Sequence, residues 1–234
     1  MMRTRFLQGL DELKHKLLQM GGLAEQAIER ATEACLKRDP KLCYAVFESE
    51  TGINSAEREI DELALDLMAM QQPMAGDLRF ILACVKINAD LERVGDQAVN
   101  IAERTLDLIR EPEVDFRVDV GRMAGSVSTM VRRALESFVE GKAEVAEAVL
   151  EMDNIVDRMK DEAFVTLTNV MKEHPEQSQR ALDVLLITRN LERVADHATN
   201  IAEDVIFWVR GADVRHGGPH HLQIDDRTPK SSNM

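Results

Sequence analysis

Two copies of one acidic pattern lie one hundred residues apart in this chain. The segment 90–103 reads DLERVGDQAVNIAE and returns at 190–203 as NLERVADHATNIAE, with ten of fourteen letters unchanged. The repeated acids and amides are Glu92, Asp96, Asn100 and Glu103 in the first copy, and Glu192, Asp196, Asn200 and Glu203 in the second. Oxygen ligands of this kind suit hard cations such as Mg²⁺. The pattern therefore indicates a cation site in each half of a duplicated chain.

These side chains can act together only if a helix brings them to one side. At about 100° per residue, the four positions of a copy fall at about 0°, 40°, 80° and 20°, so they form one stripe. On the same wheel Ile81 and Val85 lie within about 20° of Glu92, which predicts that the stripe continues a core-facing line. A single acidic stripe is more often a solvated face, and that alternative stays open.

The preceding helix in each half carries a matching acidic row. Its members are Glu50, Asn54, Glu57 and Asp61 in the first half, and Asp153 and Asp157 in the second. Two facing acidic rows repel each other unless a positive ion lies between them. The predicted metal ligands are therefore Glu50, Asn54, Glu57, Glu92, Asp96, Asn100, Glu103, Asp153, Asp157, Glu192, Asp196, Asn200 and Glu203.

The ligand types limit which metal and which chemistry are expected. Carboxylate and amide oxygens favour Fe, Mn or Mg ions, whereas Zn or Cu sites prefer His and Cys. His197 lies about 140° from the stripe and is not expected to join it. Dinuclear oxidases use a Glu-x-x-His pair from each of two helices, and here only Glu12 and His15 have that spacing. A carboxylate-bridged metalloenzyme and a purely structural scaffold remain as alternatives to a metal-binding regulator.

Composition and periodicity predict an all-α protein. Only 4% of the 234 residues are aromatic, and Gly (12) and Pro (6) are scarce. Apolar residues at helical spacing predict six helices, at about 6–37, 41–70, 75–110, up to 140, 143–173 and 176–210. The predicted architecture is two tandem three-helix bundles related by internal duplication, over residues 1–111 and 112–210. A disordered tail is expected at 211–234.

Charge and cysteine usage narrow the class of partner and the compartment. A net charge of −13 disfavours nucleic acid, because phosphate backbones would be repelled. Three cysteines within helical patterns favour a reduced compartment over a disulfide framework. The chain has no run of eighteen apolar residues. We therefore expect a cytoplasmic protein without membrane spans.

Duplicated three-helix bundles with this acidic pattern in their third helix resemble the PhoU family of phosphate-signalling proteins. The matching segments are 91–96 with Asn100, 191–196 with Asn200, and 72–79, which reads QPMAGDLR. The resemblance covers about residues 1–210. It implies a non-catalytic cytoplasmic regulator, often a homodimer, that links the ATPase subunit of the high-affinity phosphate transporter to a sensor histidine kinase. Such a negative regulator keeps the phosphate-starvation response off when phosphate is plentiful.

The resemblance also bears on the metal. It implies metal clusters on the outer face of the bundles, whereas the helical wheel predicts a core-facing line. The family pattern has Asp at the third position of the stripe, where this chain has Asn100 and Asn200. Each asparagine removes one negative charge, which weakens the hold on a multinuclear cluster.

Overall fold

The computed structural model describes residues 2–71, 73–213 and 220–221, and this part of the chain contains six long α-helices. They are α1 (Met2–Lys37), α2 (Pro40–Gln71), α3 (Ala75–Ile109), α4 (Val120–Glu140), α5 (Ala143–Glu173) and α6 (Ser178–Arg210). A single 3₁₀ turn, Pro175–Gln177, leads into α6. The predicted all-α fold with six helices is confirmed.

In the described part of the chain, three helices are followed by a residue with a positive φ, and α4 starts at a capping side chain. Gly141 (φ 60°) follows α4 and Gly211 (φ 68°) follows α6, and glycine adopts this conformation at little cost. Arg38, just after α1, also has a positive φ of 52°. At the start of α4 the Asp119 carboxylate accepts a hydrogen bond of 2.8 Å from the backbone N–H of Arg122. These signals fix the helix bounds that position the acidic stripes.

The linker between the halves extends to Asp119, because α4 begins only at Val120. It is held at both ends. The Arg38 guanidinium donates to the carbonyl oxygens of Leu108 at 2.7 Å and Glu111 at 2.6 Å. Phe116 is buried in a small apolar cluster with residues of α5 and α6. The linker is therefore fixed to both halves.

The two halves share one hydrophobic core. Helices α1, α2 and α3 pack on each other, as do α4, α5 and α6, and α3 also packs along α6 in the most extensive contact between helices. One buried cluster runs through both halves and includes Leu17 and Ile53 on one side and Val194 on the other. Three aromatic rings, from Phe80, Phe138 and Trp208, meet with centroids 5.0 to 5.8 Å apart. The bundles are thus joined by apolar packing as well as by the linker.

Beyond α6 the described residues form one short pair of strands. β1 (Ala212–Asp213) pairs antiparallel with β2 (His220–His221). The rest of the predicted disordered tail, 211–234, lies outside the described residues, so that expectation stays a prediction. Within the described helices, no stretch has the length and apolar character needed to cross a membrane.

Candidate functional site

The first acidic group, formed by Glu50 and Glu57 of α2 with Glu92 and Asp96 of α3, lies along the seam between the two helices. All four side chains are half-buried. Burial raises the pKa of Glu92, and the negative charges of Asp96, Glu57 and Glu50 raise it further, while the exposed Arg93 opposes them. Each of the other three carboxylates is therefore close enough to repel that of Glu92.

A buried amide anchors this seam. Asn88, one helical turn before Glu92, is only 1% exposed. Its Nδ2 donates to the carbonyl oxygen of Glu57 at 3.0 Å and to Asp61 Oδ1 at 2.9 Å. Its own Oδ1 is buried without a protein hydrogen-bond partner. Asp61, a member of the predicted row, is therefore tied to α3 through this amide.

The second acidic group consists of Asp153 and Asp157 of α5 with Glu192 and Asp196 of α6. Burial raises the pKa of Asp153, and the charges of Asp157 and Glu192 add to the effect. Although Asp196 as a whole residue is exposed, desolvation of its carboxylate, followed by the charges of Glu192, Asp153 and Asp157, raises its pKa to about 6. Asp153 Oδ1 is buried without a protein hydrogen-bond partner. The same like-charge crowding therefore occurs in both repeats.

One lysine lies within the second group. Lys160 Nζ is 3.3 Å from Glu192 Oε1, 3.4 Å from Asp161 Oδ1 and 3.9 Å from Asp157 Oδ1. Burial by itself lowers the pKa of Lys160, but the hydrogen bond to Glu192 and the charges around it leave that pKa above its usual value. The second acidic group thus already contains a cation, which the sequence analysis missed.

The remaining predicted ligands are Asn54, Asn100, Glu103, Asn200 and Glu203. Asn54 and Asn100 are half-buried on their helices, and Glu103 is exposed. On α6 the Asn200 amide donates to Asp90 of α3 at 3.1 Å, and Glu203 lies beside a shallow cavity between α3 and α6. In α6 the predicted acidic stripe is therefore divided: Glu192 and Asp196 lie near α5, whereas Asn200 and Glu203 lie near α3. Because α6 packs on α3, α4 and α5, a stripe about 80° wide can extend from one neighbouring helix to the next.

The expectation of a core-facing line also needs correction. Ile81 is fully buried, but Val85 and Glu92 are only half-buried, so the line leaves the core before it reaches the acids. An ionised carboxylate without a partner loses its hydration free energy in an apolar core, and nothing there compensates for that loss. The acids instead lie at the margins of the helix seams.

A polar network between α3 and α6 was also missed. His197 follows Asp196 on α6, and its Nδ1 donates to Asp90 Oδ1 of α3 at 2.9 Å. Farther along, Lys86 Nζ lies 2.8 Å from Asp204 Oδ1. The sequence does distinguish Asp90, because it is one of the few residues that differ between the two copies of the acidic segment. The equivalent residue in the second copy is Asn190.

The donor chemistry of the first acidic group fits a hard cation, although its side chains are not yet arranged around one point. Among the described residues, no three His, Cys, Asp or Glu side chains converge as ligands of a single ion. Four half-buried carboxylates on two helices would have to turn towards each other. The second group fits a free cation less well, because Lys160 already lies among its carboxylates.

Replacing Asp196 with asparagine is expected to raise the free energy of unfolding of chelator-treated protein by about 1 kcal/mol at pH 7, a value reduced for solvent screening because Asp196 is exposed. The folded-state pKa of about 6 exceeds the ordinary 3.8. Ionised Asp196 therefore disfavours the fold above pH 6, and this effect fades as the pH falls from 6 towards 4. Urea denaturation at several pH values measures it. An equal gain at all pH values would contradict the assignment, and Asp66→Asn, at an exposed site on α2, is the control.

Comparison with known proteins decides the family. The model of the PhoU domain matches residues 17–105 and 120–205, which correspond to the two repeats. The chain belongs to the PhoU family. A Pseudomonas putida protein named "Phosphate-specific transport system accessory protein PhoU homolog" is 41% identical over 215 residues, covering 92% of this chain and 84% of that protein. A Pseudomonas aeruginosa protein of the same name is 40% identical, with 92% and 89% coverage.

Solved PhoU structures have the same fold. The crystal structure of PhoU from Pseudomonas aeruginosa superposes with a TM-score of 0.86 at 39% identity, covering 88% of this chain and all of that one (100%). PhoU from Streptococcus pneumoniae, described as a phosphate transport system regulatory protein, gives a TM-score of 0.79 at 24% identity, with 89% and 99% coverage. This second likeness supports the fold alone.

Proposed function

We propose that this PhoU protein is a non-catalytic regulator of phosphate transport and phosphate-starvation signalling. The observation that supports this most strongly is the match of both repeats to the PhoU domain, together with relatives named as accessory proteins of a phosphate-specific transport system. In this proposal the protein acts in the cytoplasm as a homodimer. It couples the ATPase subunit of the high-affinity phosphate ABC transporter to a sensor histidine kinase, and represses the response when phosphate is plentiful.

Charge gives this regulator a physical means of docking. With a net charge of −13, the protein offers a strongly negative surface to basic patches on its partners. Complementary charge speeds association and selects partners more than it adds affinity. Any cation held by the acidic groups would reduce the negative charge offered at that place. Docking would then depend on cation occupancy.

The proposal includes a divalent or ferric cation on the first acidic group. Its carboxylates come from both α2 and α3, so a bound ion would link the two helices and stiffen the pair. Crowding of Glu92 by Glu57, Glu50 and Asp96 supports this, since a cation would relieve the repulsion. Such an ion supplies positive charge and cross-linking, and no reaction step is assigned to it.

Calorimetric titration of the chelator-treated protein with Mn²⁺ tests the metal proposal. Glu92→Gln is expected to weaken binding by about 10- to 100-fold, because it removes one charged ligand. Glu62→Gln, at an exposed position on α2, is the matched control and should leave binding unchanged. Equal Mn²⁺ affinity of the wild type and Glu92→Gln would show that the first acidic group does not bind the cation.

A pull-down from cells grown at high and at low phosphate tests the regulatory role. The tagged protein is expected to retain the transporter ATPase subunit and the histidine kinase, with at least one association changing with phosphate. Salt should weaken these associations, since screening reduces contacts between charged surfaces. An intact phosphate response after deletion of the gene, with neither partner retained, would contradict the proposal.

A further inference from the structure

The two repeats can be compared helix by helix because their buried positions coincide. Helices α2 and α5 align with an offset of 103 residues, as from Ile53 to Val156, and α3 and α6 align with an offset of 100. The coinciding buried pairs are Ile53 and Val156, Ile60 and Ala163, Ala64 and Leu167, Leu91 and Leu191, and Val94 and Val194. This register is fixed by the core and is independent of the acidic residues.

In this register, one pair of facing residues has like charges in the first repeat and opposite charges in the second. In the first repeat Glu57 of α2 lies near Glu92 of α3, and the two negative charges repel. In the second repeat Lys160 takes the place of Glu57, and Glu192 takes the place of Glu92. The Lys160 ammonium contacts Glu192 Oε1 at 3.3 Å, so the pair attracts.

We infer that Lys160 is a built-in counter-ion that confines cation binding to the first repeat, an inference that rests on the metal function proposed above. Its Nζ reaches carboxylates on both helices of the seam, Glu192 of α6 at 3.3 Å and Asp157 of α5 at 3.9 Å. These are the groups that a bridging metal ion would have to contact. The ammonium group therefore occupies the bridging position in the second repeat.

A tethered cation has an advantage over a dissolved one. The lysine is covalently attached beside the carboxylates, so it meets them at a local concentration that does not depend on the solution. A metal ion entering this site must also displace the ammonium and then share the carboxylates with it at short range, where like charges repel. Added metal ions therefore change the charge of the first seam and leave that of the second unchanged.

Reciprocal substitutions in the full-length, chelator-treated protein test the inference. Lys160→Glu restores the first-repeat residue in the second repeat, and Glu57→Lys does the reverse. Titration with Mn²⁺ is expected to show an additional binding event in Lys160→Glu and an affinity at least about tenfold lower than wild type in Glu57→Lys. Circular dichroism checks that each variant remains helical.

A neutral variant keeps the test usable if Lys160→Glu does not fold. Lys160→Met is expected to lower the Tm of the chelated protein by about 2–4 °C, and Mn²⁺ should restore it more than it stabilises the wild type. Lys16→Met is the matched control, because Lys16 Nζ contacts the exposed Glu59 of α2 at 2.7 Å. Its Tm should barely change.

The outcomes separate this inference from the metal function. If the wild type binds Mn²⁺ but the Lys160 variants gain nothing, the inference is overturned and the metal function stands. If the wild type binds none but Lys160→Glu does, Lys160 still excludes a cation from the second repeat, but the metal function of the first repeat fails, and the claim that binding is confined there is overturned with it. If neither binds, both are overturned. Loss of wild-type binding in Asp153→Asn, with binding intact in Glu57→Lys, also overturns the inference.

Discussion

Replacing Phe138 with alanine is expected to lower the free energy of unfolding by about 3 to 5 kcal/mol. The ring is fully buried. It stacks on Phe80 of α3 with centroids 5.8 Å apart and lies 5.5 Å from the ring of Trp208 of α6. Truncation leaves a cavity where three helices from both repeats meet, and such a site cannot collapse without moving one repeat against the other.

Urea denaturation followed by tryptophan fluorescence measures this loss directly. Trp208 is the single tryptophan of the chain and contacts the substituted ring, so its emission also reports the local change. Val139→Ala is the control, because Val139 is the next residue on α4 and is 42% exposed. A loss below about 1 kcal/mol in Phe138→Ala would show that the aromatic cluster is not a principal contact between the repeats.

The second large effect is expected at Asp90. Asp90→Ala should lower the free energy of unfolding by about 2 to 3 kcal/mol, since two donors lose one buried acceptor. Those donors are His197 Nδ1 at 2.9 Å and Asn200 Nδ2 at 3.1 Å, both from α6. Asp90→Asn should cost less, because an amide oxygen still accepts a hydrogen bond.

A double-mutant cycle isolates the contact between the repeats. Asp90→Ala and His197→Ala are combined, and a coupling energy of about 1 to 2 kcal/mol is expected from denaturation curves. Additive losses would mean that the two side chains contribute independently, against the contact described above. Asp66→Ala, at an exposed position on α2, serves as the surface control and should change stability by less than about 0.5 kcal/mol.

The helices could be predicted from the sequence because their limits depend on local chemistry. Pro40 begins α2, while Gly141 and Gly211 end α4 and α6, and each acts through its own backbone preferences. The repeated acidic segments also fell on helices, as their spacing indicated. Local rules of this kind need no knowledge of which helix packs on which.

The shared core could not be predicted in the same way. A helical wheel shows that Phe80 and Phe138 lie on apolar faces, but it does not show that these faces cover each other. The division of the α6 stripe has the same cause. Asn200 contacts Asp90 because α3 packs along α6, and that contact joins residues 110 positions apart.

Lys160 marks a different limit of sequence analysis. The repeat was recognised from α3 and α6, where identical letters set the register. In α2 and α5 few letters coincide, and the offset of 103 becomes clear only from buried pairs such as Ile53 and Val156. Without that register, the sequence does not show that Lys160 and Glu57 occupy equivalent positions in the two repeats.

The packing of α3 along α6 has a consequence for how a duplicated protein can diverge. A single repeat would expose the apolar side of its third helix, and a second identical molecule would be the natural cover. When both copies belong to one polypeptide, the pairing is permanent, and the surface of each copy no longer has to be complementary to itself. Within one polypeptide the two copies can therefore differ, as they do at Lys160 and Glu57, and the molecule can have two different ends.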